Sequence, residues 1–247
     1  MYYSLEKITN ISTEEIKTFL TEFDFDNYFD SLPNSEKDFG DKLILKIFKI
    51  KFNPSLGYDS TCWFHGCRTY ESNTFESGIL PLDEVVEEIW GFLFDLVDEK
   101  ISRDKWNNFK RKLETDLDNN FAHLYRLKLR DSFHYGPYAY LIRDILFMGN
   151  KLNQHEYLNT PEIVEDICNC YKDCFKFDLL KKYKSITKRC IVKFKSKDTC
   201  EQNIGDALFY LYNALNGQEQ SDRCCTACDC KGKKIPKSDI LNIEYIE

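Results

Sequence analysis

The chain has 247 residues, 43% of them hydrophobic, with only 10 Gly and 6 Pro, a composition that excludes a disordered, collagenous or low-complexity protein and supplies one large core or two small ones. Basic residues number 34 against 41 acidic, for a net charge of -7, which argues against a broad electrostatic grip on nucleic-acid backbones and leaves a local basic groove as the remaining option. The longest apolar stretch, Ile89 to Phe94, stops at Asp95, far short of the roughly 20 residues of a membrane-crossing helix.

Met1 to Lys7 has neither the basic region nor the apolar core of a secretory signal, so the expected location is the cytoplasm, with the 11 cysteines held as thiols. Ser12 and Glu15 spell a capping box, and Ile16, Phe19, Leu20 and Phe23 follow at helical spacing, predicting a short amphipathic helix. Asp24 to Asp38 is polar and turn-rich and reads as a loop ending at Gly40. From Leu43 to Phe52, apolar residues interleave with Lys46, Lys49 and Lys51, which predicts a strand. Thr61 to His65 reads as a short buried strand that stops at Gly66, with His65 at its end.

After a turn at Ser77 to Pro81, the segment Asp83 to Glu99 places Val85, Ile89, Phe92, Leu93 and Leu96 on one helical face against an acidic one. Ser102 caps a helix carrying Trp106, Phe109 and Leu113, and the helical period resumes from Leu117 to Leu127. Phe133 to Gly136 reads as extended, Gly136-Pro137 as a break, and Tyr138 to Met148 as a helix. Thr160 as cap, Pro161 in the first turn and Glu162 at the positive helix end predict a helix from Pro161 to about Phe175. Cys190 to Lys195 alternates as a half-buried strand, Ile204 to Leu215 is helical with Gly217 ending it, and Glu219 to Lys234 is a Cys-rich loop. Ser238 to Ile246 closes as a strand with Ile240, Asn242, Glu244 and Ile246 on one face. With no internal repeat and no linker, these elements argue for a single α+β domain over 1–247.

The densest cysteine cluster is Cys224, Cys225, Cys228 and Cys230, in which Cys225 and Cys228 have the spacing that lets two thiolates from one turn meet zinc. A second knuckle is absent, and Cys168, Cys170 and Cys174 fall in a helix. The favoured reading is buried thiols plus a reactive loop with no metal assigned; a cysteine-bound zinc module is the alternative. No phosphate-loop, GxGxxG, HExxH or GxSxG pattern occurs, so triphosphatase, Rossmann, zincin and α/β-hydrolase readings have no local support.

One stretch carries a signature: Cys62-Trp63-Phe64-His65-Gly66-Cys67-Arg68-Thr69, followed by Phe75-Glu76-Ser77-Gly78-Ile79-Leu80-Pro81. It resembles the first motif of the ADP-ribosyltransferase superfamily, in its poly(ADP-ribose) polymerase-like branch, where an apolar strand leads into His-Gly-small-Arg and then a Gly-Ile or Gly-Leu turn. The resemblance implies an α+β fold with a split, twisted mixed sheet of the ADP-ribosyltransferase type, with 83–130 a large helical insertion. It implies NAD as substrate, the His65 imidazole on a ribose hydroxyl, the bare Gly66 backbone on the nicotinamide amide, and Arg68 facing the pyrophosphate. The aromatic residue stacked on nicotinamide would be Tyr138, or else Tyr140. The catalytic carboxylate, which meets charge that develops only as the glycosidic bond breaks, would be Glu244 by its strand or Glu219 by its position before the last strand. The implied activity is transfer of ADP-ribose to a protein or nucleic-acid acceptor with release of nicotinamide. The alternative is a non-catalytic interaction protein on the same scaffold.

Overall fold

The computed structural model describes every residue except Asp116 and Asp131. In chain order the elements are α1 (Tyr2–Thr9), α2 (Thr13–Glu22), α3 (Phe25–Ser31), α4 (Gly40–Phe52), β1 (Thr61–Thr69), α5 (Leu82–Asp95), α6 (Arg103–Thr115), α7 (Asn120–Arg130), β2 (Tyr138–Tyr140), α8 (Glu162–Phe175), α9 (Leu179–Ile186), β3 (Lys188–Ser196), α10 (Gln202–Leu215), β4 (Ala227–Asp229) and β5 (Ile240–Ile246). The fold is α+β, and its chain forms two compact units. The first comprises Met1–Trp63, Tyr140–Ile145 and Lys195–Ala227; the second comprises Phe64–Ala139, Leu146–Phe194 and Cys228–Glu247. No helix among the described residues is long and apolar enough to cross a membrane.

The first unit is helical and is organised by α2, α4 and α10. Ser12 caps α2 as its sequence requires: Ser12 Oγ accepts from Glu15 N at 3.3 Å, and Glu15 Oε2 accepts from Ser12 N at 3.1 Å. Ile16, Phe19 and Leu20 of α2 are buried together with Leu43, Ile44 and Phe48 of α4 and Ile204 and Leu208 of α10, and the Phe19 and Phe48 rings meet edge to face at 5.5 Å. At Gly205 a Cβ would stand 2.5 Å from the Asp41 carbonyl, so glycine is what permits α10 to approach α4 so closely.

Two expectations fail in this unit. Leu43–Phe52 lies within helix α4, not in a strand: Asp41, Leu43, Ile44, Leu45 and Phe48 are buried while Ile50 points to solvent, a three-and-four spacing that only a helix presents to α10. The loop expected over Asp24–Asp38 contains α3, started by Asp24 accepting from Asn27 N at 3.0 Å. Thr13–Glu22 and Gln202–Leu215 are helices as read, and Gly217 follows α10 at φ 66.

The second unit holds most of the sheet and a helical core. The sheet is one open antiparallel layer in the order β4-β2-β1-β3-β5, where the resemblance implies a split mixed one. β1 is hydrogen-bonded to β2 on one side and to β3 on the other. β3 and β5 pair with Cys190 opposite Tyr245 and Ile191 opposite Glu244, and a bulge falls between Lys193 and Phe194. Over 83–130 lie α5, α6 and α7, and their Trp90, Trp106, Phe109 and Tyr125 pack with Tyr171 of α8 in one apolar cluster. The Trp90 indole donates to Tyr125 Oη at 2.9 Å, which lets both polar aromatics sit fully inside.

β1 continues through Gly66 to Thr69, so His65 sits within the strand rather than at its end. Ser132–His134 is a single 3-10 turn rather than extended, and β2 at Tyr138 replaces the start of the expected helix, which is otherwise only a 3-10 turn at Arg143–Phe147. The reason is backbone pairing: the Gly136 and Pro137 carbonyls accept from Gly232 N at 2.7 Å and Cys230 N at 3.1 Å, tying this segment to the Cys-rich stretch in place of a helical ladder. Helix α8 begins as predicted, but Pro161 is its cap residue and no side chain caps it. Thr160 Oγ1 is buried with no partner among the described residues.

Candidate ligand-binding cleft

Within the second unit, the later half of β1, the loop after it, α5, the Tyr135–Tyr138 stretch, the start of α8 and Tyr183 of α9 enclose a cleft of about 700 Å³. That volume is in the range of small-molecule sites, roughly 300–1,000 Å³. The loop is held open by fixed contacts. Gly78 adopts φ 78 with the Ile235 carbonyl against the place a Cβ would take, and Ile79 and Ile235 exchange two backbone hydrogen bonds at 2.9 Å. Tyr245 Oη donates between the Tyr70 carbonyl at 2.9 Å and the Asn73 carbonyl at 2.6 Å. The Gly-Ile turn of the sequence motif is therefore a wall of the cleft.

His65 lines this cleft half-buried. Its Nδ1 lies 2.7 Å from the Tyr138 carbonyl oxygen; a carbonyl only accepts, so Nδ1 carries the proton and the neutral ring keeps Nε2 as an acceptor. Burial pulls the imidazole below its usual pKa, outweighing the opposite effect of that hydrogen bond.

The remaining predicted residues divide. Gly66 lines the cleft, but a Cβ there would stand 2.6 Å from Leu146 Cδ2 and 3.4 Å from Leu158 Cδ2, so the missing side chain is filled by packing. Arg68 also lines it, yet its guanidinium is engaged with the end of α9: Nη2 donates to the carbonyls of Lys184 at 2.6 Å and Thr187 at 3.0 Å, and Nε to Thr187 Oγ1 at 2.9 Å. Cationic capping of a helix C-terminus is the expected use of such a group. Tyr138 faces the cleft with Oη donating to the Phe133 carbonyl at 2.6 Å. Tyr140 is buried in the first unit and is not among the lining residues.

Neither predicted carboxylate borders the cleft. Residues two apart on a strand share a face, so His65 and Cys67 project together. The Cys67 thiol has Cys190 as its neighbour, which with burial raises its pKa, and Cys190 lies opposite Tyr245. Tyr245 therefore shares the His65 face, and Glu244 takes the other. Glu219 is exposed after α10 in the first unit.

The cleft has carboxylates from elsewhere: Glu76, Glu88 and Glu162. Glu162, the first residue of α8, accepts from Tyr157 Oη at 3.1 Å and lies 3.4 Å from Lys128 Nζ, which in turn pairs with the buried Asp166 at 2.7 Å. Glu88 is exposed on α5. The sequence puts Glu162 at a helix start and an acidic face on the helix predicted over 83–99, which contains Glu88, but nothing local in the chain points either toward His65. Tyr70, Tyr135, Tyr157 and Tyr183 complete an aromatic lining that no motif announces.

In the Cys-rich stretch, Cys228 and Cys230 of the second unit bring their sulfurs to 3.9 Å. Among the described residues no three His, Cys, Asp or Glu side chains are grouped so as to hold a metal ion. Compared with known proteins, the chain matches no family model, no curated protein and no solved structure.

Proposed function

We propose that this cleft binds an aromatic nucleoside and that the protein is an NAD-dependent ADP-ribosyltransferase, its antiparallel layer serving as the ADP-ribosyltransferase-type sheet. The observation that carries the reading is His65: a neutral imidazole of fixed tautomer, with an acceptor nitrogen, in an aromatic-lined cleft. A ribose hydroxyl would donate to Nε2, and the nicotinamide ring would stack on Tyr138. The C–N glycosidic bond breaks with its electron pair leaving on nicotinamide. The positive charge left on the ribose is met by a carboxylate until the acceptor nucleophile bonds to that carbon and gives up its proton. Glu88 and Glu162 border the cleft and take the role for which the sequence suggests Glu244 or Glu219.

Incubation with NAD tests this: nicotinamide is released and ADP-ribose appears on an acceptor, and both are lost in His65→Ala while its melting temperature holds. No NAD binding by calorimetry and no released nicotinamide would overturn it. A second reading, binding without transfer, is favoured by the position of Glu244 on the opposite strand face and by the engagement of Arg68 with α9. It predicts saturable NAD binding with no nicotinamide released.

A further inference from the structure

A second recess in the same unit, of about 430 Å³, is bounded by Arg68, Lys184, Lys188 and Arg189, with Glu247 as its only acidic side chain among the described residues. We propose that this recess is an anion site that takes the phosphate groups of a small phosphorylated ligand. Lys184, Lys188 and Arg189 form no ion pair among the described residues, so with Arg68 they leave an excess of positive charge over Glu247 around one concavity. Arg68 is fixed from behind: Nε and Nη2 are spent on the end of α9, and among the described residues no acceptor takes the two Nη1 protons. A guanidinium held in place with one edge unused is a preorganised donor for a phosphate oxygen. The positive field of Arg189 also reaches Arg68, which it and burial both push below the usual guanidinium range; an anion between them would relieve that repulsion.

A small ligand fits better than a polymer. The recess is confined to a few side chains, and the chain's net charge of -7 repels an extended polyanion beyond that patch. Arg68 lines both this recess and the aromatic cleft, so a single ligand with an aromatic nucleoside in one and phosphates in the other is the class that uses both. That last step rests on the nucleoside reading proposed above; the anion site stands without it.

Calorimetric titration of the full chain with inorganic pyrophosphate tests the site. One-to-one saturable binding is expected, weakened tenfold or more in Lys188→Gln/Arg189→Gln and by raised salt. Both substituted residues are exposed, so an unchanged melting temperature certifies the variant's fold. No saturable binding, affinity unchanged in the double variant, or displacement of pyrophosphate by a short DNA duplex at lower concentration would overturn the assignment. ADP binding at least tenfold more tightly than pyrophosphate, with the advantage lost in His65→Ala, supports one ligand across both recesses, and ADP binding no more tightly overturns that junction. Pyrophosphate binding without nicotinamide release from NAD fails the transferase alone and leaves the anion site standing.

Discussion

Lys128 of α7 reaches across to Asp166 of α8 with 2.7 Å between Nζ and Oδ2, and both side chains are largely withdrawn from water. Burial dominates this pair, pushing the Asp166 carboxyl up to about 6 against the pull of Lys128. A folded-state value above the unfolded one of about 3.9 means that the folded chain holds this proton more tightly. The stability it contributes is complete below about pH 4 and fades as pH rises through about 6. Urea unfolding from pH 4 to 7 should show this decline, and Asp166→Asn should flatten it. Lys128→Met strands a buried carboxylate and should cost about 3–5 kcal/mol at pH 8, and less at pH 5. A loss that is the same at both values would refute the assignment of the charge.

His65 titrates the opposite way. Burial lowers its pKa, so the neutral ring is favoured in the folded protein, and its contribution is present above about pH 6.5 and lost as pH falls through the depressed value. Imidazole resonances followed by NMR should put the His65 midpoint below 6.5, and nucleoside binding in the cleft should hold from pH 7 upward and weaken as the ring gains its second proton. A His65 midpoint above 7 would contradict both.

Two glycines of the motif differ in what replaces them. Gly66→Ala sets a methyl against Leu146 Cδ2, the end of a flexible side chain, and should cost about 1–3 kcal/mol by overpacking. Gly66→Ala/Leu146→Ala should recover part of that loss in a double-mutant cycle. Gly78→Ala meets the Ile235 carbonyl at positive φ, where no side chain can yield, and should be the more damaging of the two in a thermal melt. Equal melting temperatures would remove the distinction.

Arg68→Ala should fray α9, because it withdraws charged donors from two carbonyls and a hydroxyl. A cost of about 1.5–3 kcal/mol is expected. Hydrogen exchange localises it: the amides at the end of α9 should open faster, whereas those of α2 should be unchanged. Uniform acceleration would mean that Arg68 supports more than this helix end.

How much of this was legible follows from the range of the interactions involved. The α2 start was readable because Ser12 and Glu15 satisfy each other within one turn, and the turn at Gly78 because it needs a residue tolerant of positive φ. Helix α4 was not, because its lysines and β-branched residues fit a strand locally and only burial against α10 selects the helix. In the cleft, His65 was found from its neighbours in sequence, whereas Glu88, Tyr157, Glu162 and Tyr183 arrive there on separate helices and loops. The strand character of Glu244 is local and says nothing about which face it takes; the pairing of Cys190 with Tyr245 fixes that.

The alternation of the backbone between the two units bears on how the protein can be handled. Each unit is assembled from three separate stretches, so the polypeptide passes from one to the other five times. No single cut yields either half as a continuous piece. A fragment spanning 64–139 would carry most of the motif and much of the aromatic lining but lack β3 and α8, so dissection by truncation is a poor guide to the cleft, and point substitution is the sound route.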